Sequence, residues 1–162
     1  MIRLVVAKPE DAAKLASIQQ EAFDRECKQY GREAVGGPTG YADEEWQKSM
    51  MAEGHYFIIS EVKEAVGAQT DSIIGGAIVF PDRERLSCHV GRIFLHPDKQ
   101  NHGYGLTAML ALEHEFPWAV RWDLDTPDWE LKNHRFYLRC GYQKIRETNG
   151  FYYYEKRIES SI

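Results

Sequence analysis

One segment constrains the fold of this chain more than any other, because it joins an apolar strand to a helix through a polar, glycine-bearing turn. The strand side is the run Val90–Leu95, and Pro97 ends it by removing a backbone donor. The helix side is predicted to run from Leu106 to Phe116. Gly103 and Gly105 carry no Cβ, so a phosphate group can approach the unpaired N–H groups of the first helical turn. The sequence therefore predicts an anion site at this turn.

A second motif lies near the end of the chain. Residues 133–142 read Asn-His-Arg-Phe-Tyr-Leu-Arg-Cys-Gly-Tyr, a helix that carries Tyr137 and ends at Gly141 before another strand. This segment, placed after the spacing Gln-x-x-Gly-x-Gly of Gln100 to Gly105, resembles the GNAT N-acetyltransferase superfamily. The resemblance covers roughly residues 86 to 158.

The resemblance implies an α/β (α+β) fold, the GNAT-like acyl-CoA N-acyltransferase fold. Its central sheet is mixed and mostly antiparallel, is flanked by helices, and is parallel only around the acyl-CoA cleft. The resemblance also implies that acetyl-CoA is the cosubstrate. A primary amine would attack the acetyl group directly in a ternary complex and thereby receive it. The alternative is a non-catalytic module with the same fold that binds CoA or another ligand.

The resemblance also implies which residues hold acetyl-CoA. Main-chain groups of Ile93, Phe94 and Leu95 would bind the pantetheine arm, and amides of the glycine turn would face the pyrophosphate. Gln100 adds no positive charge, so Lys99 or His102 is the candidate for one, with a solvated loop charge as the alternative. The predicted acetyl-CoA-binding residues are Ile93, Phe94, Leu95, Gln100, Asn101, His102, Gly103, Tyr104, Gly105, Leu106, Asn133 and Tyr137.

Tyr137 occupies the position of the superfamily's general acid, which protonates the departing CoA thiolate. The alternative is a buried ring whose hydroxyl bonds to a neighbour. Asn133 lies one helical turn earlier on the same face, so it is placed to touch the pantetheine or the substrate. Other members carry an Asn further upstream, where this chain has Glu130.

His89 is the tentative general base, because an imidazole has an unperturbed pKa near 6.5. Period-two alternation puts His89 on the same side of its strand as Gly91, Ile93 and Leu95. A hydrogen-bonded structural histidine is the alternative. The other candidates for the base are Asp123, Asp125, Glu21 and Glu26.

The glycine turn also satisfies a rival pattern, the dinucleotide fingerprint Gly103-x-Gly105-x-x-Ala108 with Asp123 about twenty residues on. Three observations count against this interpretation. Residues 97–102 separate the strand from the first glycine, too few residues follow Gly105 for further strand–helix units, and the preceding strands look antiparallel. An ordinary strand–helix turn is the third possibility.

Composition limits the classes of partner. The 162 residues suit one domain spanning 1–162, and the net charge of −5 provides no basic footprint for nucleic acid. No apolar run approaches the length of a membrane span, and the N-terminus lacks the features of a signal peptide, so we expect a cytoplasmic protein.

Three well-separated cysteines favour buried thiols, and His96 and His102 lack the spacing of a metal site. We expect a small-molecule or peptide amine as partner, no metal, and a possible homodimer through the closing hairpin.

Hydrophobic periodicity and turn residues predict the elements. A helix begins at Pro9, and its pattern dissolves into a loop from Arg25 to Ala42, in which Gly36–Gly40 is the most flexible part. The other predicted helices are Asp43–Glu53, Leu106–Phe116 and Pro127–Cys140. The predicted strands are Ile2–Ala7, Tyr56–Val62, Ser72–Phe80, Leu86–Leu95, Val120–Asp125, Tyr142–Glu147 and Phe151–Ile158, the last two forming a hairpin around Asn149-Gly150.

Overall fold

The computed structural model describes residues 1–32 and 37–159, so Gly36 of the predicted flexible loop lies outside the described residues. The strands are β1 Ile2–Val6, β2 His55–Ala65, β3 Ala68–Asp82, β4 Ser87–Leu95, β5 Arg121–Pro127, β6 Gln143–Thr148 and β7 Phe151–Arg157. The α-helices are α1 Ala12–Gln29, α2 Glu44–Glu53, α3 Tyr104–Glu115 and α4 Leu131–Arg139, with short 3₁₀ helices at Pro9–Asp11 and Pro97–Lys99.

The strands form one mixed sheet in the order β1-β2-β3-β4-β5-β7-β6. Each neighbouring pair is antiparallel except β4 and β5, which confirms the predicted mixed, mostly antiparallel sheet. Strands β2, β3 and β4 form a meander. The parallel pair is short, because only residues 87–89 of β4 pair with residues 121–123 of β5. Beyond that point the two strands part and leave a gap in the sheet.

Both faces of the sheet are covered. On one face, called the α1 face, Leu15 and Ile18 of α1 pack against Ile78 and Phe94 in a cluster that Met50 and Trp46 of α2 also join. The opposite face, called the α3 face, buries α3 and α4 residues against alternating side chains of the same strands. Within the described residues, no helix is long and apolar enough to cross a membrane.

A β-bulge in β4 reverses one prediction. Ile78 pairs with Arg92 whereas Val79 pairs with Val90, so Gly91 is an extra residue in β4. His89 therefore lies opposite Phe80 on the α1 face, not on the side of Ile93 and Leu95, and the predicted alternation is wrong there. Glycine suits the bulge, since a Cβ at Gly91 would lie 2.6 Å from the Phe80 ring and would force that ring to move.

Two helix boundaries also differ from the predictions. The first helix continues through Arg25 to Gln29, because buried Ala22 and Cys27 keep its inner face against the protein. The last helix begins at Leu131 and not at Pro127. Thr126 and Pro127 instead extend β5, where they lie opposite Tyr152 and Phe151 of β7.

A buried carboxylate ties the start of α3 to β2. Glu61 is 5% exposed and accepts hydrogen bonds from Lys99 Nζ at 2.8 Å and from the Tyr104 hydroxyl at 2.7 Å. These two donors, helped by the nearby Lys63 ammonium, lower the pKa of Glu61 to about 2. The glycine turn is thereby anchored to the neighbouring part of the sheet from both of its flanks.

We expect Glu61→Gln to lower Tm at pH 7 by about 2–4 °C, because an amide cannot replace the charge that both donors face. Since the folded pKa lies below the ordinary value, the stability that Glu61 contributes is present above about pH 4.5 and is lost as pH falls toward 2. Urea unfolding between pH 7 and pH 3 measures this loss. Glu64→Gln, exposed on the same strand, is the control; equal pH dependence in the two variants would contradict the prediction.

Candidate active site

A first cavity of about 370 Å³ opens where β4 and β5 part. All the residues predicted to hold acetyl-CoA line this cavity except His102 and Tyr104. The remaining lining residues, which the sequence did not indicate for this role, are Ala22, Phe23, Glu26, Lys132, Phe136 and Arg139. The structure thus brings the two sequence motifs to one place, while ligand binding by these residues stays a prediction.

His102 and Tyr104 point elsewhere. Their rings stack on each other with centroids 5.8 Å apart, and the Tyr104 hydroxyl donates to Glu61. Lys99 also donates to Glu61, so the two predicted sources of positive charge, Lys99 and His102, do not line the cavity. The prediction for His102 and Tyr104 is therefore limited to their backbone groups.

The glycine turn has the geometry of an anion site. Gly103 is the N-cap of α3 with φ of +80°, a left-handed conformation that favours glycine. The first intrahelical bond runs from Thr107 N–H to the Gly103 carbonyl, so the amides of Gly105 and Leu106 are unpaired first-turn donors beside the cavity. Gln100 braces the turn, because its Nε2 donates to the Leu95 carbonyl at 3.1 Å.

Positive charge reaches this turn from α4. Lys132 Nζ donates to Gln100 Oε1 at 2.6 Å, and Lys132 lines the first cavity. The two residues are distant in sequence, and only the folding of α4 over the gap joins them. The available signal was the position of Lys132 immediately before Asn133, at the start of the helix that carries Tyr137.

A second cavity of about 760 Å³ adjoins the first on the α1 face. Its charged lining side chains are Glu26, Arg32, Arg92, Asp125 and Glu130. The residues that line both cavities are Phe23, Glu26, Ile93, Asn133 and Tyr137. The two cavities therefore meet beside Tyr137.

Tyr137 is held in a fixed, protonated state at this junction. Its side chain is 8% exposed, and its ring packs against Phe136, Tyr142 and Tyr154. Burial raises the pKa of Tyr137, and the carboxylate of Glu130 raises it further. Among the described residues no group hydrogen-bonds to the hydroxyl, which leaves it available to a molecule in either cavity.

Two carboxylates lie close to this phenol. Glu130 is 6% exposed and accepts a hydrogen bond from the Asn133 amide. Burial and then the neighbouring Glu26 carboxylate raise the pKa of Glu130 to about 8, and burial also raises the pKa of Glu26. Glu130 therefore holds a proton near neutral pH, and the negative charge of half-buried Glu26 contributes to this.

The other predicted bases are placed differently. His89 lines neither cavity, and its Nδ1 lies 2.5 Å from Oδ1 of Asp123, a hydrogen bond that raises the pKa of the imidazole. Glu21 pairs with His96 Nε2 at 2.7 Å and also lies outside both linings. Asp125 and Glu26 are the two alternatives that the structure brings to the second cavity. The role of His89 as a base stays a prediction.

The structure also bears on metal binding. Across the described ranges, no group of three His, Cys, Asp or Glu side chains is arranged to hold a metal ion.

Solved structures share this architecture. The chain superposes on the PaiA N-acetyltransferase of Thermoplasma acidophilum, solved in complex with coenzyme A, with a TM-score of 0.77 and 13% identity over 98% of this chain and 99% of the other. The ribosomal-protein-S18-alanine N-acetyltransferase of Escherichia coli gives 0.68 and 15% over 98% and 94%. The parted strands and the glycine turn thus belong to the acyl-CoA N-acyltransferase fold.

Sequence comparison identifies the family. Residues 15–142 match the acetyltransferase (GNAT) family, and the chain belongs to it. The chain is also 28% identical over 149 residues to YrkN, an uncharacterized protein of Bacillus subtilis strain 168, covering 90% of this chain and 75% of YrkN. The rival dinucleotide interpretation is wrong, because β4 is antiparallel to β3 and lies in the sheet of a different fold.

Proposed function

We propose that the protein is an acetyl-CoA-dependent N-acetyltransferase that acetylates a primary amine by direct attack in a ternary complex. The observation that carries this proposal is Tyr137, a buried phenol whose hydroxyl has no partner among the described residues and which faces the junction of two cavities. One cavity ends at an anion-binding turn, and the other is lined by carboxylates.

The first cavity suits acetyl-CoA as cosubstrate. Beyond residues 87–89, β4 has no pairing with β5, so its main-chain groups can bond an extended pantetheine arm as another strand would. The Gly105 and Leu106 amides, together with the positive end of the α3 dipole, favour the pyrophosphate. Lys132 adds a full positive charge on the opposite wall.

Different residues at the junction of the two cavities accept and donate protons during the reaction. When bound, acetyl-CoA supplies an activated acetyl group as a thioester. Glu130, coupled to Glu26, accepts a proton from the acceptor's ammonium group directly or through water, which frees the amine for attack on the carbonyl carbon. Tyr137 donates its proton to the sulfur as the carbon–sulfur bond breaks, and burial keeps that proton in place until then. The second proton of the attacking nitrogen then passes to the phenolate directly or through water, which leaves the neutral amide and restores Tyr137. Alignment of the two substrates supplies much of the remaining acceleration.

Binding of the cosubstrate tests the first cavity. We expect Lys132→Gln to weaken acetyl-CoA binding about tenfold in calorimetric titration, since it removes a charge-assisted contact to the pyrophosphate. Lys28→Gln, an exposed change on α1, should leave the affinity unaltered. No acetyl-CoA binding by the unaltered protein would contradict the proposal.

Turnover separates an enzyme from a binding module with the same fold. We expect Tyr137→Phe to lower kcat by about 10²- to 10⁴-fold while the Kd for acetyl-CoA changes little, because only the transferable proton is removed. Tyr153→Phe on β7, which lines neither cavity, is the control. An unchanged kcat would remove Tyr137 from the acid role, and binding without turnover on an amine panel would favour the non-catalytic module.

The pH profile tests the base. Because Glu130 must be ionised to accept a proton, kcat/KM should rise as pH passes about 8. Glu130→Gln should lose this rise and lower kcat about 10²-fold, while folding normally because an amide resembles the protonated acid. Asp128→Asn, exposed and nearby, should keep the profile. A rise that persists near pH 8 in Glu130→Gln, whatever the pKa of the acceptor amine, would assign the base to another group.

A further inference from the structure

Arg92 introduces a half-buried positive charge into the second cavity. The Gly91 bulge turns its side chain to the α1 face, where the guanidinium lies 4.3 Å above the Trp46 ring. Arg92 Nη1 donates to Gln19 Oε1 at 3.1 Å, and Nη2 donates to the Thr39 carbonyl at 3.0 Å. Arg92 thus bridges β4, α1, α2 and the segment before α2 at the wall of the cavity.

The contacts of Arg92 are to neutral groups. Across residues 1–32 and 37–159, no carboxylate forms an ion pair with it, and burial lowers its pKa to about 10. The other cavity-lining arginine differs, because exposed Arg32 stacks on Trp129 at 4.4 Å and is close enough to Glu130 to lower its pKa. A partly buried guanidinium without a counter-charge is stabilised when an anion enters beside it.

A chain of hydrogen bonds fixes the orientation of this guanidinium. Gln47 Nε2 donates to the Gly40 carbonyl, so Gln47 Oε1 faces inward and accepts from Tyr56 and from Gln19 Nε2. Gln19 is fully buried, and with its Nε2 used in this way its Oε1 must face Arg92. The side chain is therefore preorganised by a satisfied network, as a binding residue requires.

The same cavity carries charge of the opposite sign. Glu26 lines it beside Tyr137 and Asp125 lines it from β5, while Glu130, whose raised pKa leaves it mostly charged only above about pH 8, adds to them there. A cavity with carboxylates at the phenol and a guanidinium held by Gln19 and Thr39 has two poles. A molecule with one cationic and one anionic group satisfies both poles at once, whereas a simple amine leaves the guanidinium uncompensated.

We propose that the acceptor is an amine that also carries a carboxylate, such as an amino acid or short peptide, with the carboxylate bound by Arg92 and the amine directed toward Tyr137. This inference rests on the proposed acetyl transfer and names its substrate class. The guanidinium matches a carboxylate bidentately, which fixes the orientation of the acceptor and selects it against amines of similar size.

Matched acceptor pairs test the proposal. Amino acids from glycine to lysine and dipeptides are each assayed beside their C-terminal amides, and lysine beside cadaverine. We expect a KM at least tenfold lower for the carboxylate member. The amide's amine loses its proton more easily, so amine basicity cannot produce that preference.

Two variants separate binding from structural support. Arg92→Gln should raise KM for the carboxylate acceptors at least tenfold, leave KM for the amides unchanged and change kcat little. Arg92→Lys should keep part of the preference. Arg83→Gln removes a guanidinium that stacks on Trp118 at 4.7 Å outside both cavities, and it should change neither KM. Equal losses for carboxylates and amides in Arg92→Gln would overturn the proposal.

The other outcomes of these assays distinguish a failure of this inference from a failure of the proposed acetyltransferase function. Transfer to amines with no carboxylate preference overturns this inference and leaves the acetyltransferase intact, whereas no acetyl-CoA binding overturns the proposed function itself. An aminoalkylphosphonate is included as an arm, and a lower KM for it than for the matched carboxylate overturns the choice of anion. Calorimetric titration of the CoA-loaded protein with the same pairs gives a readout independent of turnover, and equal or absent binding of both members counts against the proposal.

Discussion

The separation of β4 from β5 is the constraint on which the rest of the structure depends. The strands pair only over residues 87–89 and 121–123, and the polar main chain of β4 beyond that point faces a gap. Backbone donors and acceptors need partners, and the gap is tolerated because it opens into a cavity where solvent or a ligand can supply them. The α3 N-terminus and α4 then lie on either side of one opening.

Much of the fold and part of the site could be predicted from local sequence. The glycine turn, the individual strands and the closing hairpin follow from Gly103, the apolar runs and Asn149-Gly150, because each depends on neighbouring residues. The mixed sheet was implied by the family resemblance and not by local sequence. Tyr137 was found for a related reason, since one helix and its Gly141 terminus carry the motif.

The remainder depends on contacts between distant segments. The extra residue Gly91 places His89 on the opposite face of the sheet from the predicted one. A prediction from strict alternation of side chains along a strand cannot include such a bulge. Lys132 reaches Gln100 only after α4 folds over the gap. Glu26 lies near Glu130 only because α1 continues for a full turn beyond Arg25, where the apolar pattern of the sequence ends. Tertiary packing overrides local propensity at each of these positions.

The two cavities draw in part on different segments of the chain. The anion turn, α3 and α4 supply the first, while the second draws on the end of α1 and on Thr39, and its guanidinium is oriented by Gln19. The parts share little beyond the residues around Tyr137. Substitutions confined to Gln19, Arg32 and Thr39 therefore change the second cavity without touching the glycine turn, so the two ends of this opening can vary in sequence independently.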